Sequence, residues 1–404
     1  MRTLIGIDWS EAYHDVRIHN EAGACLSRFR VAHTWEGFQR LGQQIQQVNP
    51  DPKACVVAIE TADNLLVDYL WEQGYSVYVL APSMVNSNRG RQRASGARDD
   101  DSDAALLSDI LRTDQARLIA WQPDSELVSQ MRALLSFIDD LTISINQYHN
   151  RLRSQLRRYY PQALSAFCKL TVPLCLHFLM AYPTPQAAAA LNYPQFETFC
   201  QAHGDTRSDR RAHRLAHLQK TTPSAMSGLE AAYAKQTPWL AKLLLDLVEQ
   251  KRTAIRHLQT LFMAHPDHAL FASLPGAADL LGPALLVMFG DHRQRLPSPA
   301  LIQALAGTCP VTVKSGKSHT VRFRRACNHS YRRTAHQFAK ASLYRSPWAA
   351  AYFETACARG MSSAHAYRCL ANRWLKIIWT LWQRHQPYDE SYHLCQIQRR
   401  RLPS

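Results

Sequence analysis

The 404-residue sequence lacks the cysteine pattern of a metal or disulfide scaffold. Its ten cysteines are scattered, and no C-x-x-C pair occurs among them. This excludes a zinc-ribbon framework and the disulfide framework of a small secreted domain. We therefore expect reduced and mostly buried thiols.

No cleavable leader is expected from the sequence, and it lacks an uninterrupted apolar span. Residues 1–3 run directly into a short apolar segment over residues 4–7, which is unlike a signal peptide. Residues 268–290 are apolar, but one aspartate, two prolines and three glycines within them would break a membrane-spanning helix. This pattern predicts a buried helical hairpin, no membrane partner and a cytoplasmic protein.

Acidic residues are absent between His292 and Phe353, in a chain that carries 47 Lys and Arg against 32 Asp and Glu and has a net charge of +15. Self-repulsion would make such a segment costly without a polyanion beside it, so it predicts a nucleic-acid-binding face. Its basic residues are Arg293, Arg295, Lys314, Lys317, Arg322, Arg324, Arg325, Arg332, Arg333, Lys340 and Arg345.

Apolar periodicity predicts an α/β domain with a mixed sheet at the N-terminus. Three short strands separated by turns come first and form a β-meander, and alternating helices and strands follow. The predicted strands are residues 3–10, 14–20, 25–33, 54–60 and 75–81, and the predicted helices are residues 35–47 and 64–73. A polar tract over residues 82–97 is expected to link this sheet to a helix over residues 103–112.

The length of the chain exceeds that of a usual single-core domain. We predict an α/β domain (1–120), a long-helix region (121–265) with a helical insertion (166–223), a small mainly helical C-terminal domain (266–390) and a basic tail (391–404). Within the second region a heptad seam is formed by Leu240, Leu244, Leu247, Lys251, Ala254, Leu258 and Leu261. So short a seam fits either a coiled coil or a bundle helix that packs within one chain.

Carboxylates recur where strands end. Asp8 lies at the end of the first predicted strand and Glu60 at the end of the fourth, and Asp99, Asp100, Asp101 and Asp103 crowd into five positions. Mg²⁺ or Mn²⁺ sites for phosphodiester chemistry need several such oxygen ligands from different elements. Taken alone, the acidic run would instead be the start of a helix, favoured by the helix dipole.

The segment Lys314-Ser315-Gly316-Lys317-Ser318 is a second candidate site. A serine can attack a phosphodiester when basic neighbours stabilise the developing charge. The alternative is a solvated turn whose lysines touch backbone phosphate. The spacing of a phosphate-binding P-loop is absent.

Two further patterns have alternative interpretations. Leu274-Pro275-Gly276 followed by an apolar helix fits a helix-hairpin-helix that grips a DNA phosphate, or a simple turn between core helices. The histidines of helical segments, His213, His217, His257 and His265, are expected on solvated helix faces and not as metal ligands.

Taken together, these motifs resemble the DEDD transposases of the IS110 type, which include Piv-like DNA invertases and bridge-RNA-guided recombinases. The resemblance spans nearly the whole chain. Its motifs are Gly6-Ile7-Asp8, Ile59-Glu60, Ala81-Pro82, Arg98 to Ala104 for the family's K-T-D-x-x-D-A, Pro275-Gly276, Pro310 with Ser315-Gly316, and Arg332-Arg333.

The resemblance implies a RuvC-like, RNase H-type N-terminal domain, a coiled-coil segment and a small C-terminal transposase domain that carries a catalytic serine. It assigns Mg²⁺, or Mn²⁺, to Asp8, Glu60, Asp100 and Asp103. It makes Ser315 the nucleophile that forms a covalent link to DNA, with Ser318 as its rival. The nucleic-acid-binding residues would be Lys314, Lys317, Arg322, Arg324, Arg325, Arg332 and Arg333.

The implied partners are donor and target DNA and a noncoding bridge RNA. The heptad seam and the need to hold two DNA partners favour a homodimer that assembles into a tetramer, and the protein is expected at the nucleoid. The sequence departs from the family pattern at Arg98 and Asp99, where Lys and Thr are usual, and at Ala62-Asp63, where Thr-Gly is common. Asp63 is therefore a candidate extra ligand or neighbour of the ligands.

Other functions fit parts of the same pattern. A site-specific invertase would need no guide RNA, and a RuvC-like nuclease or resolvase would hydrolyse DNA through metal ions without using Ser315. A non-catalytic nucleic-acid-binding protein would use the acidic residues only as helix caps.

Overall fold

The computed structural model of the chain describes residues 2–89, 100–316 and 318–399. It contains two compact units, one that ends at Pro123 and one that begins at Asp124. The domain boundaries predicted at residues 265 and 390 stay predictions. No helix in the described part of the chain is both long and apolar enough to cross a membrane.

The first unit is built on a five-stranded mixed sheet. The strand order is β3-β2-β1-β4-β5, and the three N-terminal strands pair antiparallel while β1, β4 and β5 pair in parallel. The strands are β1 Thr3–Trp9, β2 Tyr13–Asn20, β3 Cys25–Ala32, β4 Cys55–Ile59 and β5 Ser76–Val79. The predicted meander and mixed sheet are thus confirmed, and the architecture is consistent with an RNase H-like domain.

Helices cover both faces of this sheet. Apolar side chains of α1 and α2 pack on one face, and those of α3 and α4 pack on the other. The helices are α1 Trp35–Val48, α2 Leu65–Glu72, α3 Pro82–Asn88 and α4 Asp100–Asp114. Side-chain caps mark two starts, since Thr34 accepts a hydrogen bond from the Gly37 amide and Asn64 accepts one from the Val67 amide.

The expectation that residues 82–97 form only a polar link is wrong in its first half. Pro82 is the first residue of α3, where the absence of an amide donor costs nothing and the fixed φ favours a helix. Val85 then packs into the same core as α4. The remainder of the predicted link, from residue 90 to 97, lies outside the described residues.

The absence of a side chain at Gly6 lets α4 touch the backbone of β1. A Cβ placed on Gly6 would lie 1.9 Å from the carbonyl oxygen of Ala104 and 2.7 Å from the amide nitrogen of Ser108. Both atoms belong to the helix backbone, so they cannot move aside without moving α4. This contact fixes where the first turn of α4 meets the sheet.

The second unit is mainly helical. Its helices are α5 Glu126–Tyr159, α6 Pro161–Ala166, α7 Pro173–Ala181, α8 Pro185–Ala189, α9 Tyr193–Ala202, α10 Asp209–Leu218, α11 Ser227–Ala264, α12 His268–Ala272, α13 Leu281–Phe289, α14 Pro299–Leu305, α15 His329–Ser342, α16 Pro347–Ala358, α17 Ser363–Arg384 and α18 Glu390–Arg399. Short 3₁₀ turns are found at Pro52–Ala54, Gln115–Arg117 and Arg293–Arg295. The predicted helical insertion corresponds to α7 to α10, and the predicted apolar hairpin corresponds to α12 and α13.

The two longest helices, α5 and α11, form an antiparallel pair within the chain. The N-terminal half of α5 shares a core with the C-terminal half of α11, through Ile138 and Leu258 among others. The opposite halves share a second core, which includes Leu156 and Leu244. Residues of the predicted heptad seam therefore pack against a helix of the same chain, as the bundle interpretation expects, and an intermolecular coiled coil stays a prediction.

An antiparallel hairpin projects from the helical unit between α14 and α15. It consists of β6 Val311–Ser315 and β7 Ser318–Arg322. Every described residue of the hairpin except Val311 is exposed. These strands were not predicted from the sequence, which indicated only a turn at this position.

The cysteines also differ from expectation. All ten lie in described residues and are free thiols, but only Cys55, Cys175 and Cys200 are buried. Burial raises the pKa of the Cys55 and Cys200 thiols to about 11. The expectation that most of these thiols are buried is wrong, and the expectation that they are reduced stays a prediction.

We expect Gly6→Ala to destabilise the first unit by about 2 kcal/mol or more, because the added methyl group collides with the backbone of α4. Hydrogen exchange of the full chain, followed by mass spectrometry, should show faster exchange in β1 and α4. Gly228→Ala is the matched control, since a Cβ at this α11 position has open space around it. Unchanged exchange in Gly6→Ala would contradict the close approach.

Candidate functional site

Asp8 and Glu60 lie at the same edge of the sheet. Strands β1 and β4 pair in parallel with Ile7 opposite Ile59. The residue after each of these isoleucines is acidic, so both carboxylates emerge at the carboxyl ends of neighbouring strands. Both residues are half-buried. Such strand ends commonly deliver catalytic residues in open α/β sheets.

The Asp8 side chain shares a face of the sheet with α4. Side chains alternate along a strand, and Ile5 and Ile7 lie in the core formed with α1 and α2. Leu4 lies in the opposite core, which includes α4. Since Asp8 is four residues after Leu4, its carboxylate lies on the α4 face.

Helix α4 runs antiparallel to β1, and its first turn therefore points toward the Asp8 edge. Ala104 and Ser108 meet Gly6, and the Ser108 hydroxyl lies 2.8 Å from Nδ1 of His19, nearer the start of β1. The acidic turn precedes Ala104. The fold thus directs Asp103 toward the edge that carries Asp8 and Glu60.

Asp103 is held by a cation of the chain itself. Nη2 of Arg89, the residue after α3, donates to Oδ2 of Asp103 at 2.8 Å, and both side chains are largely shielded from solvent. Sequence reasoning did not find this pair, because fourteen residues separate its members and no spacing rule links them.

The carboxylates have the hard oxygen chemistry that Mg²⁺ requires. They are not assembled as a metal centre, however: among the side chains that the structure describes, no group of three or more His, Cys, Asp or Glu could hold a metal ion. Asp100 is the first residue of α4, but its carboxylate lies outside the described part, as do Arg98 and Asp99. The alternative of an acidic helix start also fits this placement.

A fourth carboxylate lies beside Asp8. Asp15 of β2 is directly opposite Asp8 in the antiparallel register. Arg30 of β3 binds Asp15 through two hydrogen bonds, from Nε to Oδ1 at 3.0 Å and from Nη2 to Oδ2 at 2.7 Å. The bidentate pair neutralises Asp15 next to the candidate ligand. Asp63, the candidate extra ligand, has an exposed side chain, and its amide donates to the Thr61 hydroxyl at 3.3 Å.

The hairpin places the two candidate nucleophiles opposite each other. Ser315 ends β6, Ser318 begins β7, and they are cross-strand partners on either side of a two-residue loop. Gly316 in that loop has φ of 54°, the left-handed region that favours glycine. Directly paired residues carry their side chains on the same face of a hairpin. Both hydroxyls are therefore presented together.

The predicted nucleic-acid-binding residues differ in their surroundings. Lys314, Arg322 and Arg325 are exposed, and Lys317 lies outside the described residues. The two arginines of the Arg332-Arg333 pair make different contacts. Nη2 of Arg332 donates to the carbonyl oxygens of Arg324 and Arg325. Arg333 forms an ion pair with Asp139. Arg332 thus ties the base of the hairpin to α15.

The expectation that His265 lies on a solvated face is wrong. It is buried, its Nδ1 accepts a hydrogen bond from the Asp267 amide, and its Nε2 donates to Oδ1 of Asp291 at 2.8 Å. Burial opposes ionisation of Asp291, but hydrogen bonds from His265 and from the Ser125 amide lower the pKa of that carboxyl. His265 therefore joins α11 to the start of α5 as part of the scaffold.

The Pro275-Gly276 turn packs on helix α15. Gly276 has φ of 87°, and a Cβ there would lie 2.8 Å from the carbonyl carbon of Ala341. This close backbone packing is what a turn between core helices requires. The glycine is needed for both its conformation and its small size.

Comparisons with known proteins cover both units. Residues 5–161 match the DEDD transposases of the IS110 type, and residues 268–354 match the transposase IS116/IS110/IS902 family. The mini-circle putative transposase for IS117 of Streptomyces coelicolor is 31% identical over 397 residues, which is 96% of each chain. The putative transposase y4uE of Sinorhizobium fredii is 27% identical over 50% of this chain and 57% of its own length. An uncharacterized 43.6 kDa protein of insertion element IS110, also from S. coelicolor, is 24% identical over 70% of each chain.

We expect Arg89→Ala to tighten binding of Mn²⁺ to the nucleic-acid-free protein about fivefold, equivalent to about 1 kcal/mol, because it removes a cation that competes for Asp103. Electron paramagnetic resonance of bound and free Mn²⁺ measures this affinity. The control is Arg112→Ala, which breaks an ion pair to Asp109 on the same helix and should leave Mn²⁺ affinity unchanged. Equal affinity in wild type and Arg89→Ala would contradict the competition.

Proposed function

This chain belongs to the IS110-type family of DEDD transposases and is thus a DNA-processing enzyme, and we propose that it cleaves and joins DNA through a serine nucleophile and metal-bound carboxylates. The reaction would move an insertion element between a donor and a target. The part of this proposal that concerns the carboxylates is supported by the parallel register of β1 and β4, which brings Asp8 and Glu60 to one edge of the sheet.

Asp8, Glu60, Asp100 and Asp103 would hold Mg²⁺, or Mn²⁺, in this proposal. Their support is the donor chemistry, the shared strand edge and the direction of α4. Arg89 binds Oδ2 of Asp103 and would compete with the metal ion for that carboxylate. Bound Mg²⁺ would supply a Lewis acid that offsets the charge developing on the phosphodiester.

Ser315 would attack a DNA phosphorus atom. A bond from its Oγ to phosphorus would form while the phosphorus–oxygen bond to the departing strand breaks, and the serine proton would end on the departing oxygen. A hydroxyl of the partner strand would then attack the phosphoserine, restoring Ser315 and joining the strands. The exposed position at the tip of a hairpin and the basic neighbours Lys314 and Arg322 support this role.

A noncoding bridge RNA would choose the DNA sites by base pairing. Because base pairing would then carry the sequence information, the protein would need only contacts to the nucleic-acid backbones. The acid-free segment from residue 293 to 353 provides positive charge for both. A homodimer that assembles into a tetramer would hold donor and target together.

Ser315→Ala should abolish the covalent protein–DNA adduct and lower recombination by several orders of magnitude, because it removes the proposed nucleophile. The assay incubates full-length protein, its co-purified RNA and labelled DNA carrying the element ends, and then resolves the adduct on a denaturing gel. Ser318→Ala is the matched control from the facing strand and should still form the adduct.

Three results would change this assignment. An adduct retained in Ser315→Ala but lost in Ser318→Ala would transfer the role to Ser318. DNA cleavage without any adduct would support a metal-dependent nuclease instead. Full activity in Asp8→Asn and Glu60→Gln would remove the carboxylates from the mechanism.

The RNA partner makes a separate prediction. Sequencing of RNA that co-purifies with the protein should yield one dominant noncoding species with segments complementary to donor and target DNA. Ribonuclease treatment should stop recombination, and adding back that RNA should restore it. Recombination that survives complete RNA removal would favour a site-specific invertase without a guide.

A further inference from the structure

Two arginines from different helices meet over one aromatic ring beside the hairpin. Phe323 directly follows β7 and remains 46% exposed. The guanidinium carbons of Arg332 in α15 and Arg368 in α17 lie 4.7 and 4.8 Å from the centre of its ring. Cation–π contacts of this length are attractive. Both cations are therefore held at the base of the hairpin that carries Ser315.

Arg332 and Arg368 differ in the other contacts that their guanidinium groups make. Arg332 donates to the carbonyl oxygens of Arg324 and Arg325, and it lies so close to Gly307 that a Cβ there would be 2.5 Å from its Nη2. Arg332 is thus a structural tie. Within the described part of the chain, Arg368 has the Phe323 contact but neither an ion pair nor a hydrogen bond, so its donors are available to a ligand.

The charges around this ring are unbalanced. His336, one helical turn after Arg332, is half-buried, and its Nε2 has no hydrogen-bond partner among the described residues. Burial and the nearby charges of Arg368 and Arg332 lower the pKa of the His336 imidazole. Two guanidinium cations and an imidazole whose protonation they oppose are therefore crowded together, and the sequence supplies no acid between residues 293 and 353. An anion would relieve their repulsion.

We propose that Arg368, oriented by Phe323 and Arg332, binds one phosphate of the DNA strand that the hairpin engages. This proposal rests on the proposed function, in which the hairpin acts on DNA. A guanidinium group with free donors matches a phosphate oxygen pair. Arg368 lies outside the acid-free segment, so sequence reasoning did not include it among the nucleic-acid-binding residues.

The position of the phosphate follows from the hairpin. Ser318 and Phe323 are five residues apart on an extended strand, which is roughly 16 Å. One strand of B-form DNA rises 3.4 Å per nucleotide. The phosphate that Arg368 binds should therefore lie within roughly five nucleotides of the phosphodiester that is cut.

The test combines a protein substitution with neutralised phosphates. Duplexes carrying an element end are made with a single uncharged methylphosphonate at each position around the cleavage point, and their affinity for the full-length protein is measured. Wild type should lose about fivefold in affinity at one position within that window. Arg368→Ala should bind the unmodified duplex about fivefold more weakly, with a salt dependence reduced by about one counterion.

The decisive measurement combines the Arg368→Ala variant with the methylphosphonate duplexes. In Arg368→Ala the same methylphosphonate should cause no further loss, because the contact is already gone, whereas all other positions should behave as in wild type. Arg384→Ala is the matched control: it is an exposed arginine of the same helix, sixteen residues further along and thus roughly 24 Å away. Arg368→Lys, which keeps the charge, should retain part of the affinity and show that the fold is intact.

Several outcomes would overturn the proposal. Unchanged DNA affinity in Arg368→Ala, or an unaltered methylphosphonate profile, would remove the phosphate contact. Weaker binding of the co-purified RNA with normal DNA binding would assign Arg368 to RNA instead. If Ser315→Ala remains active while the Arg368 result holds, the nucleophile assignment fails and the phosphate contact stands. If the adduct assay supports Ser315 but the profile is unaltered, only the contact fails.

Discussion

The contact between the backbones of α4 and β1 at Gly6 is the constraint on which the acidic edge depends. A helix normally keeps its distance from a sheet through side chains, and here one residue without a side chain removes that spacer. Because the helix axis is fixed at this point, the direction of its first turn is fixed as well. The position of the Asp103 carboxylate thus depends on the backbone contact at Gly6, which involves no charged group.

Charge then determines the state of that edge. Arg89 neutralises Asp103, and Arg30 neutralises Asp15 beside Asp8. The first pair involves a candidate ligand, and the second involves its neighbour across the sheet. The Arg89–Asp103 pair is partly shielded from solvent, where ion pairs are screened less than on an open surface, whereas Arg30 is largely exposed. Two carboxylates of this edge are therefore already paired with arginines of the chain itself.

The sequence allowed much of the α/β unit to be predicted, because its strands carry strong apolar patterns and Gly23 marks the turn between β2 and β3. It could not reveal the strands of the hairpin, since neither β6 nor β7 has a buried face that would generate a pattern. Nor could it reveal the Arg89–Asp103 and His265–Asp291 pairs, which join residues through the fold. The Arg332-Arg333 dipeptide looked like two equivalent cations, and only the structure separates a backbone tie from a surface ion pair.

The antiparallel pair of α5 and α11 has a consequence for how the second unit unfolds. The pair is about 50 Å long, and a different apolar core grips each of its ends. If either core unfolded alone, α5 and α11 would lose their packing partners at one end of the pair and keep them at the other end. A partly melted state of that kind exposes apolar surface without gaining the full entropy of the free chain. The two apolar cores at the ends of the α5–α11 pair should therefore unfold together in one cooperative transition, because both depend on the same two helices.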